Sequence, residues 1–241
     1  MGCRTIVTAF PTIAIGAGET IVMLGDSNTK GFQSGVGDNP AFRWWLDWED
    51  AVTAAFNAAS QTPPTFVNSG VTGANAQFLQ QAPNFANLVT NHDPDHVVLM
   101  VGTNDVTQNV QEAAFRGFVA SILSQSWSFN ANMKFHLVDS VFRNGENWPN
   151  GTQGASDVSM DALNFQMASL AYANPGRCEY WQLRSQCWAW EAANNPGHAA
   201  SGLLTQDGTH PSNTPAMGQS DSGQSLFSSL AYTQTTLTVP K

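Results

Sequence analysis

The segment of residues 21–31, Ile-Val-Met-Leu-Gly-Asp-Ser-Asn-Thr-Lys-Gly, constrains the fold of this chain more than any other stretch. Its four leading apolar residues predict a short buried strand, which the following glycine ends. The small polar cluster bounded by a second glycine is typical of a turn from a strand into a helix. Ser27 is therefore expected at the carboxyl edge of a sheet, where open α/β folds bind their ligands. By itself, the segment fits a catalytic loop and an ordinary turn equally well.

Short apolar runs and amphipathic segments alternate along the rest of the chain. The alternation predicts one α/β domain in which helices cover both faces of a parallel sheet. The predicted strands cover residues 21–24, 65–68, 96–101, 133–142 and 179–183, and the predicted helices cover residues 40–59, 77–91 with an interruption at Pro83, 110–126, 158–173 and 215–232. Residues 1–18 are expected to form an N-terminal arm, an extra strand or the tail of a linker, and residues 19–241 a single domain.

The charge of the chain argues against a nucleic-acid partner. Eighteen acidic residues against nine basic ones give a net charge of −9, and no basic run exists. Nucleic-acid binding is therefore not expected, because it requires clustered Lys and Arg.

No apolar run reaches the length of a membrane span. Charged residues make up only 11% of the chain, against about 25% in an average soluble domain. This composition favours an extracellular or virion-associated protein.

The cysteines allow two interpretations. Cys178 and Cys187 lie close enough in sequence to bridge a loop, which would leave Cys3 unpaired. Alternatively, all three are reduced, small and buried residues. The bridge is slightly favoured. No group of His, Cys and Asp has the spacing of metal ligands, so no metal is expected.

Polar clusters fall at four predicted strand ends, and together they contain every group that ester hydrolysis needs. Ser27 would be the nucleophile, and His210 would take its proton and return it to the leaving group. Asp207 lies three residues before His210 and could orient its imidazole. Backbone N–H groups of Ser27 and Gly73 and the side-chain amide of Asn104 would hold the oxyanion.

The remaining polar residues near these clusters have plainer interpretations. Gly70 is an alternative to Gly73 as the oxyanion donor. Asp26 and Asp105 are expected to accept hydrogen bonds from loop amides. The other histidines show no pattern of partners and are assigned no role: His92, His96, His136 and His198.

At these positions the chain resembles the SGNH (GDSL-type) hydrolases. Four blocks similar to those of the family occur in the family's order, at residues 25–31, 68–73, 102–105 and 207–211. The resemblance implies a flavodoxin-like three-layer α/β/α sandwich with a central parallel sheet of about five strands, and no cofactor. Both Gly70 and Gly73 lie in the second block, and the alignment of that block with the family favours Gly73 as the oxyanion donor.

The leading prediction is a serine ester hydrolase that cleaves short acyl esters. Acetyl esters on a carbohydrate are favoured because surface charge is low, the chain has eight tryptophans and no long apolar flap suits a fatty chain. Most of the tryptophans are nevertheless expected in the core. A general short-chain esterase, a lipase and a thioesterase of the same family are alternatives. A non-catalytic glycan-binding module of a secreted or phage tail assembly is another, although the intact set of Ser27, Asn104, Asp207 and His210 argues against it.

Overall fold

The computed structural model describes residues 12–33, 35–140, 146–147, 152–153, 158–184, 186–187, 189 and 223–240. The strands are β1 (Ala14–Ile15), β2 (Thr20–Gly25), β3 (Phe32–Gln33), β4 (Gly37–Asp38), β5 (Thr65–Gly70), β6 (His96–Met100), β7 (Lys134–Val138), β8 (Glu146–Asn147), β9 (Thr152–Gln153), β10 (Cys178–Trp181) and β11 (Thr236–Leu237). The helices are α1 (Ser27–Lys30), α2 (Leu46–Ala58), α3 (Ala76–Gln80), α4 (Asn84–Leu88), α5 (Thr103–Thr107), α6 (Glu112–Phe129), α7 (Met160–Ala173) and α8 (Gly223–Gln234).

Five parallel strands form the central sheet in the order β10-β7-β6-β2-β5. Alternate side chains of each strand point to opposite faces, so β2 places Val22 and Leu24 in one core and Ile21 and Met23 in the other. Helices α3 to α7 cover the first face, and α2 and α8 cover the second. The predicted three-layer α/β/α sandwich with a parallel sheet is therefore confirmed. No helix in the described ranges combines the length and apolarity that crossing a membrane requires.

The helix predicted over residues 40–59 is divided in two. A 3₁₀ turn over Pro40–Phe42 is capped by the Asn39 side chain, which accepts the Ala41 N–H at 3.0 Å. Arg43 then adopts an extended conformation, with its guanidinium 4.2 Å above the Trp45 ring. Helix α2 begins only at Leu46, because the chain first turns to bury the tryptophans.

Tryptophans form much of the core on the α2 face, as predicted. Trp44, Trp45, Trp48 and Trp181 are fully or almost fully buried. Trp48 packs edge-on against Trp181 with ring centroids 5.6 Å apart, and its indole N–H donates to Thr235 at 2.8 Å. The indole of Trp45 donates to the carbonyl of Thr29 at 3.0 Å, which fixes α1 against this core.

The predicted bridge between Cys178 and Cys187 is wrong. Both residues are buried free thiols. Cys178 packs into the core on the α6 and α7 face, whereas Cys187 packs into the core on the α2 and α8 face. The sheet lies between the two faces, so closeness in sequence does not bring the thiols together. Burial raises the pKa of Cys178 to about 12, which makes that thiol unreactive.

The described residues of the N-terminal arm, 12–18, are attached to the rest of the domain by strand pairing and a hydrogen bond. Strand β1 pairs in parallel with β11, and the Ile13 N–H donates to Glu179 at 2.6 Å. Residues 1–11 lie outside the described part of the chain, and the division at residues 18 and 19 stays a prediction.

Two histidines that the sequence left without a role belong to a largely buried row of four side chains. This Glu–His row runs across the sheet from Glu19 through His96 and His136 to Glu179. The joining distances are 2.9 Å for Glu19 Oε2 to His96 Nε2, 2.9 Å for His96 Nδ1 to His136 Nε2, and 2.5 Å for His136 Nδ1 to Glu179 Oε1. The row ties together β6, β7, β10 and the residue before β2, so the assignment of His96 and His136 as residues without partners is corrected.

Candidate active site

Ser27 lies where the first segment predicted, at the carboxyl end of β2 and the first residue of α1. Asp26 caps this short helix, because its side chain accepts the Asn28 N–H at 2.9 Å. Asp26 was expected to accept hydrogen bonds from loop amides, whereas the amide it accepts lies in the first turn of α1. Ser27 is 7% exposed, so its side chain lies at the boundary between the protein interior and solvent.

The register of the sheet brings three of the predicted positions to one edge. Gly25 of β2 pairs with Gly70 of β5 on one side and with Met100 of β6 on the other. Neighbouring strands lie about 4.8 Å apart. Ser27, Gly73 and Asn104 each follow one of these paired positions within a few residues. They therefore lie at the carboxyl ends of three adjacent strands.

The surroundings of Gly73 suit a backbone donor better than those of Gly70. A Cβ at Gly70 would lie 2.2 Å from the Lys30 backbone nitrogen, and the Gly70 N–H already donates to Asn68 at 3.0 Å. Gly73 is the third residue of a turn closed by the Ala74 N–H to the Val71 carbonyl at 3.0 Å, with φ +81°. That φ favours glycine. Within the described chain, the Gly73 N–H has no acceptor, and a Cβ at this position would face open space.

The Asn104 side chain is held in one orientation. Asn104 is the second residue of α5, directly after β6, and its Nδ2 donates to the Ala74 carbonyl at 2.8 Å. A carboxamide carries two N–H donors, so one remains after this bond. The bond therefore joins the two strand ends that carry the predicted side-chain and backbone oxyanion donors.

Asp105 is a buried carboxyl beside this site. It accepts the Ala76 N–H, with oxygens at 3.1 and 3.2 Å from the nitrogen; the expected acceptor role is confirmed, but the amide belongs to the first residue of α3 and not to a loop. Burial raises the pKa of Asp105 to about 7, and the nearby charge of Asp26 adds to the increase. The carboxyl is thus partly protonated near neutral pH.

A second Asp-Ser pair follows a buried strand, at Asp139 and Ser140 after β7, and sequence reasoning passed over it. Ser140 is fully buried, and its backbone N–H and carbonyl both bond the Asn164 side chain, at 2.9 and 3.0 Å. Its hydroxyl lies 2.7 Å from that of Thr103. Asp139 accepts the N–H groups of Leu183 and Arg184. These bonds give the pair a structural role.

Asp207 and His210 lie outside the described residues. Their roles as orienting carboxylate and general base, like the oxyanion roles of Ser27, Gly73 and Asn104, stay predictions.

Comparison with known proteins identifies the family of this chain. The sequence model of the GDSL-like lipase/acylhydrolase family matches residues 23–214. The chain belongs to this family. All four sequence blocks, at residues 25–31, 68–73, 102–105 and 207–211, fall inside the matched region. Family membership makes the protein an esterase or acylhydrolase, and no curated protein sequence matches the chain significantly.

Solved structures share the fold of this GDSL-like protein. A catalytic mutant of an acetylxylan esterase from Geobacillus stearothermophilus matches with a TM-score of 0.67 at 17% identity, covering 92% of this chain and 96% of the other. An α/β hydrolase enzyme from the metagenome of Lake Arreo matches with a TM-score of 0.65 at 19% identity, covering 91% and 96%. A GDSL-like protein from Parabacteroides merdae matches with a TM-score of 0.71 at 15% identity, covering 93% and 99%. At these identities the likeness concerns the fold alone.

Proposed function

We propose that the protein hydrolyses short-chain acyl esters, with acetyl esters on a carbohydrate as the preferred class, through an acyl-enzyme on Ser27. The observation that carries this proposal is the meeting of Ser27, Gly73 and Asn104 at the ends of three adjacent strands. The register of the strands brings these three residues to one edge of the sheet, which supports their proposed roles as nucleophile and oxyanion donors.

The proposed reaction has two steps. Ser27 Oγ attacks the ester carbonyl carbon while His210 takes the hydroxyl proton, and the same proton passes to the departing alcohol as the C–O bond breaks. A water molecule, deprotonated by His210, then attacks the acyl carbon. The bond from that carbon to Ser27 Oγ breaks, the proton passes from His210 to Oγ, and the acid leaves. In both steps the carbonyl oxygen carries negative charge, which the Gly73 N–H and the Asn104 amide would stabilise. Removing one such donor slows catalysis about 10²–10³-fold in a comparable serine hydrolase.

Two observations support an uncharged, sugar-like substrate. Only 11% of the residues are charged, and a structural neighbour acts on acetylated xylan, although at 17% identity. The tryptophans carry less weight than their number suggests. Trp44, Trp45, Trp48 and Trp181 are buried and cannot stack on a sugar.

A panel of esters tests this proposal. Acid release is measured from p-nitrophenyl esters of increasing chain length and from acetylated xylo-oligosaccharides, with wild type, Ser27→Ala and the control Ser124→Ala. Ser124 is exposed on α6 and belongs to no strand end. We expect Ser27→Ala alone to abolish hydrolysis, and acetyl esters to be preferred. Equal hydrolysis by Ser27→Ala would refute the nucleophile, and a preference for long chains would replace the acetyl substrate with a lipid.

A further inference from the structure

The two predicted oxyanion donors lie on different segments, and three hydrogen bonds hold those segments together. Three consecutive residues, 74 to 76, each bond a residue of α5 or its C-cap. The bonds are Asn104 Nδ2 to Ala74 O at 2.8 Å, Asn75 Nδ2 to Gln108 Oε1 at 2.6 Å, and Ala76 N to Asp105 Oδ1 at 3.1 Å. We call this set the oxyanion clamp. Gly73 directly precedes it in sequence.

The middle bond of the clamp lies outside the family-like blocks, which end at Gly73 and Asp105. Asn75 Oδ1 accepts the Phe78 N–H at 2.8 Å and so caps α3. This bond determines which way the Asn75 amide faces, because only an oxygen can accept from the N–H. The Asn75 Nδ2 therefore faces Gln108, which must present its carbonyl oxygen.

We propose that Gln108 is a positioning residue for ester hydrolysis, acting through Asn75 to set the distance between the Gly73 N–H and the Asn104 amide. This inference rests on the proposed function. A Cβ built at Gly73 would have no described atom within 4 Å, so among the described residues only Val71 and Ala74, which pack against the core on either side of it, hold this residue by packing. A backbone donor on such a turn needs support from its neighbours. Displacement of a catalytic group by about 1 Å can cost about 10²-fold in rate.

The Asn75–Gln108 pair permits a test that does not depend on breaking the fold. In Gln108→Glu, the new carboxylate still accepts from Asn75. In Asn75→Asp, the carboxylate still caps α3, and Gln108 can turn its amide to donate to it. In the double variant Asn75→Asp/Gln108→Glu, neither side chain has an N–H to donate to the other. Two carboxylates then replace the amide groups whose nitrogen and oxygen lie 2.6 Å apart in wild type. Each single change therefore preserves one hydrogen bond, whereas the double change removes it.

The measured quantities are kcat, KM and the inhibition constant of an alkylboronic acid, which forms a tetrahedral adduct on a nucleophilic serine. We expect both single variants to stay within about twofold of wild type. The double variant should lose kcat by about 10- to 100-fold with KM nearly unchanged, and should bind the boronic acid correspondingly more weakly. Gln77→Glu, an exposed position on α3, is the matched control for added charge and should behave as wild type.

Two results would overturn the inference. One is a double variant whose kcat equals the product of the two single effects, and the other is a loss confined to KM. Gln108→Leu gives a further check, since it should resemble the double variant and not Gln108→Glu. Failure of the proposed function itself gives a different pattern, in which Ser27→Ala retains activity and no variant of the clamp changes boronic acid binding.

Discussion

Replacing Glu179 by glutamine is expected to destabilise the protein strongly at neutral pH. Glu179 is buried and accepts three hydrogen bonds, from His136 Nδ1 at 2.5 Å, Trp181 Nε1 at 2.6 Å and Ile13 N at 2.6 Å. Glutamine has one acceptor oxygen and one NH₂ group. At least one buried donor would therefore face another donor.

The magnitude follows from these contacts. A buried polar group without a partner costs about 1–3 kcal/mol, and the bonds from His136 and Trp181 lose their charge-assisted strength. Because three buried donors share this one carboxylate, these losses together are expected to reach about 3–5 kcal/mol. That is a large fraction of the stability of a typical domain.

The effect of Glu179→Gln should depend on pH with a definite sign. Burial alone would raise the pKa of Glu179, but the His136 imidazole and the other donors hold this pKa below its ordinary value of 4.5. A carboxyl whose pKa is lowered by folding stabilises the native state above its unfolded pKa, and this stabilisation is lost as the pH falls through the folded pKa. The difference in unfolding free energy between wild type and variant should therefore have its largest value at pH 7 and decrease below about pH 4.5.

The difference between the proteins is the quantity to measure, because other groups also titrate. Burial lowers the pKa of His96 below 6.5, so His96 too favours folding less in acid. Burial raises the pKa values of Asp105 and Asp139 to about 7, so these two carboxyls favour folding more in acid than at neutral pH. Urea unfolding of wild type, Glu179→Gln and the exposed control Glu112→Gln at several pH values gives the difference directly. A loss under about 1 kcal/mol at pH 7, or a loss that grows in acid, would refute the reasoning.

Three further predictions concern the site and its support. Asn104→Ala should lower kcat by about 10²–10³-fold with little change in KM; steady-state kinetics that show a change in KM alone would assign Asn104 to substrate binding instead. Asp207→Asn should lower both the plateau and the midpoint of the pH–rate profile, because loss of the carboxylate destabilises the His210 imidazolium; coincident midpoints would contradict the pairing. Gly70→Ala should destabilise the protein by about 1–3 kcal/mol in urea unfolding, since its Cβ would lie 2.2 Å from the Lys30 backbone nitrogen, and unchanged stability would contradict that close approach.

The sequence predicted those parts of the fold that depend on local patterns. The buried strands and glycine-bounded turns around Ser27 and Gly102 are encoded by adjacent residues, so their order and their common edge could be predicted. The break at Arg43 could not, because it serves the packing of Trp45. The predicted bridge between Cys178 and Cys187 was wrong because the distance between two cysteines in sequence does not show which face of the sheet each one occupies.

The Glu–His row escaped prediction for a related reason. His96 and Glu19 lie 77 residues apart in sequence, and His136 and Glu179 lie 43 apart. Each residue by itself fits an ordinary strand, and only the strand order brings them together. The oxyanion clamp is intermediate, since Asp105 was predicted to accept from loop amides but its partner Ala76 and the bond from Asn75 to Gln108 required the structure.

Mass spectrometry of the acylated protein tests the central claim most directly. The protein is mixed with p-nitrophenyl acetate, quenched in acid within the first turnover and digested. The account predicts a mass increase of one acetyl group on the peptide that contains Ser27, and no increase in Ser27→Ala. Hydrolysis without an acetylated peptide, or an acetyl group on another residue that persists in Ser27→Ala, would contradict it.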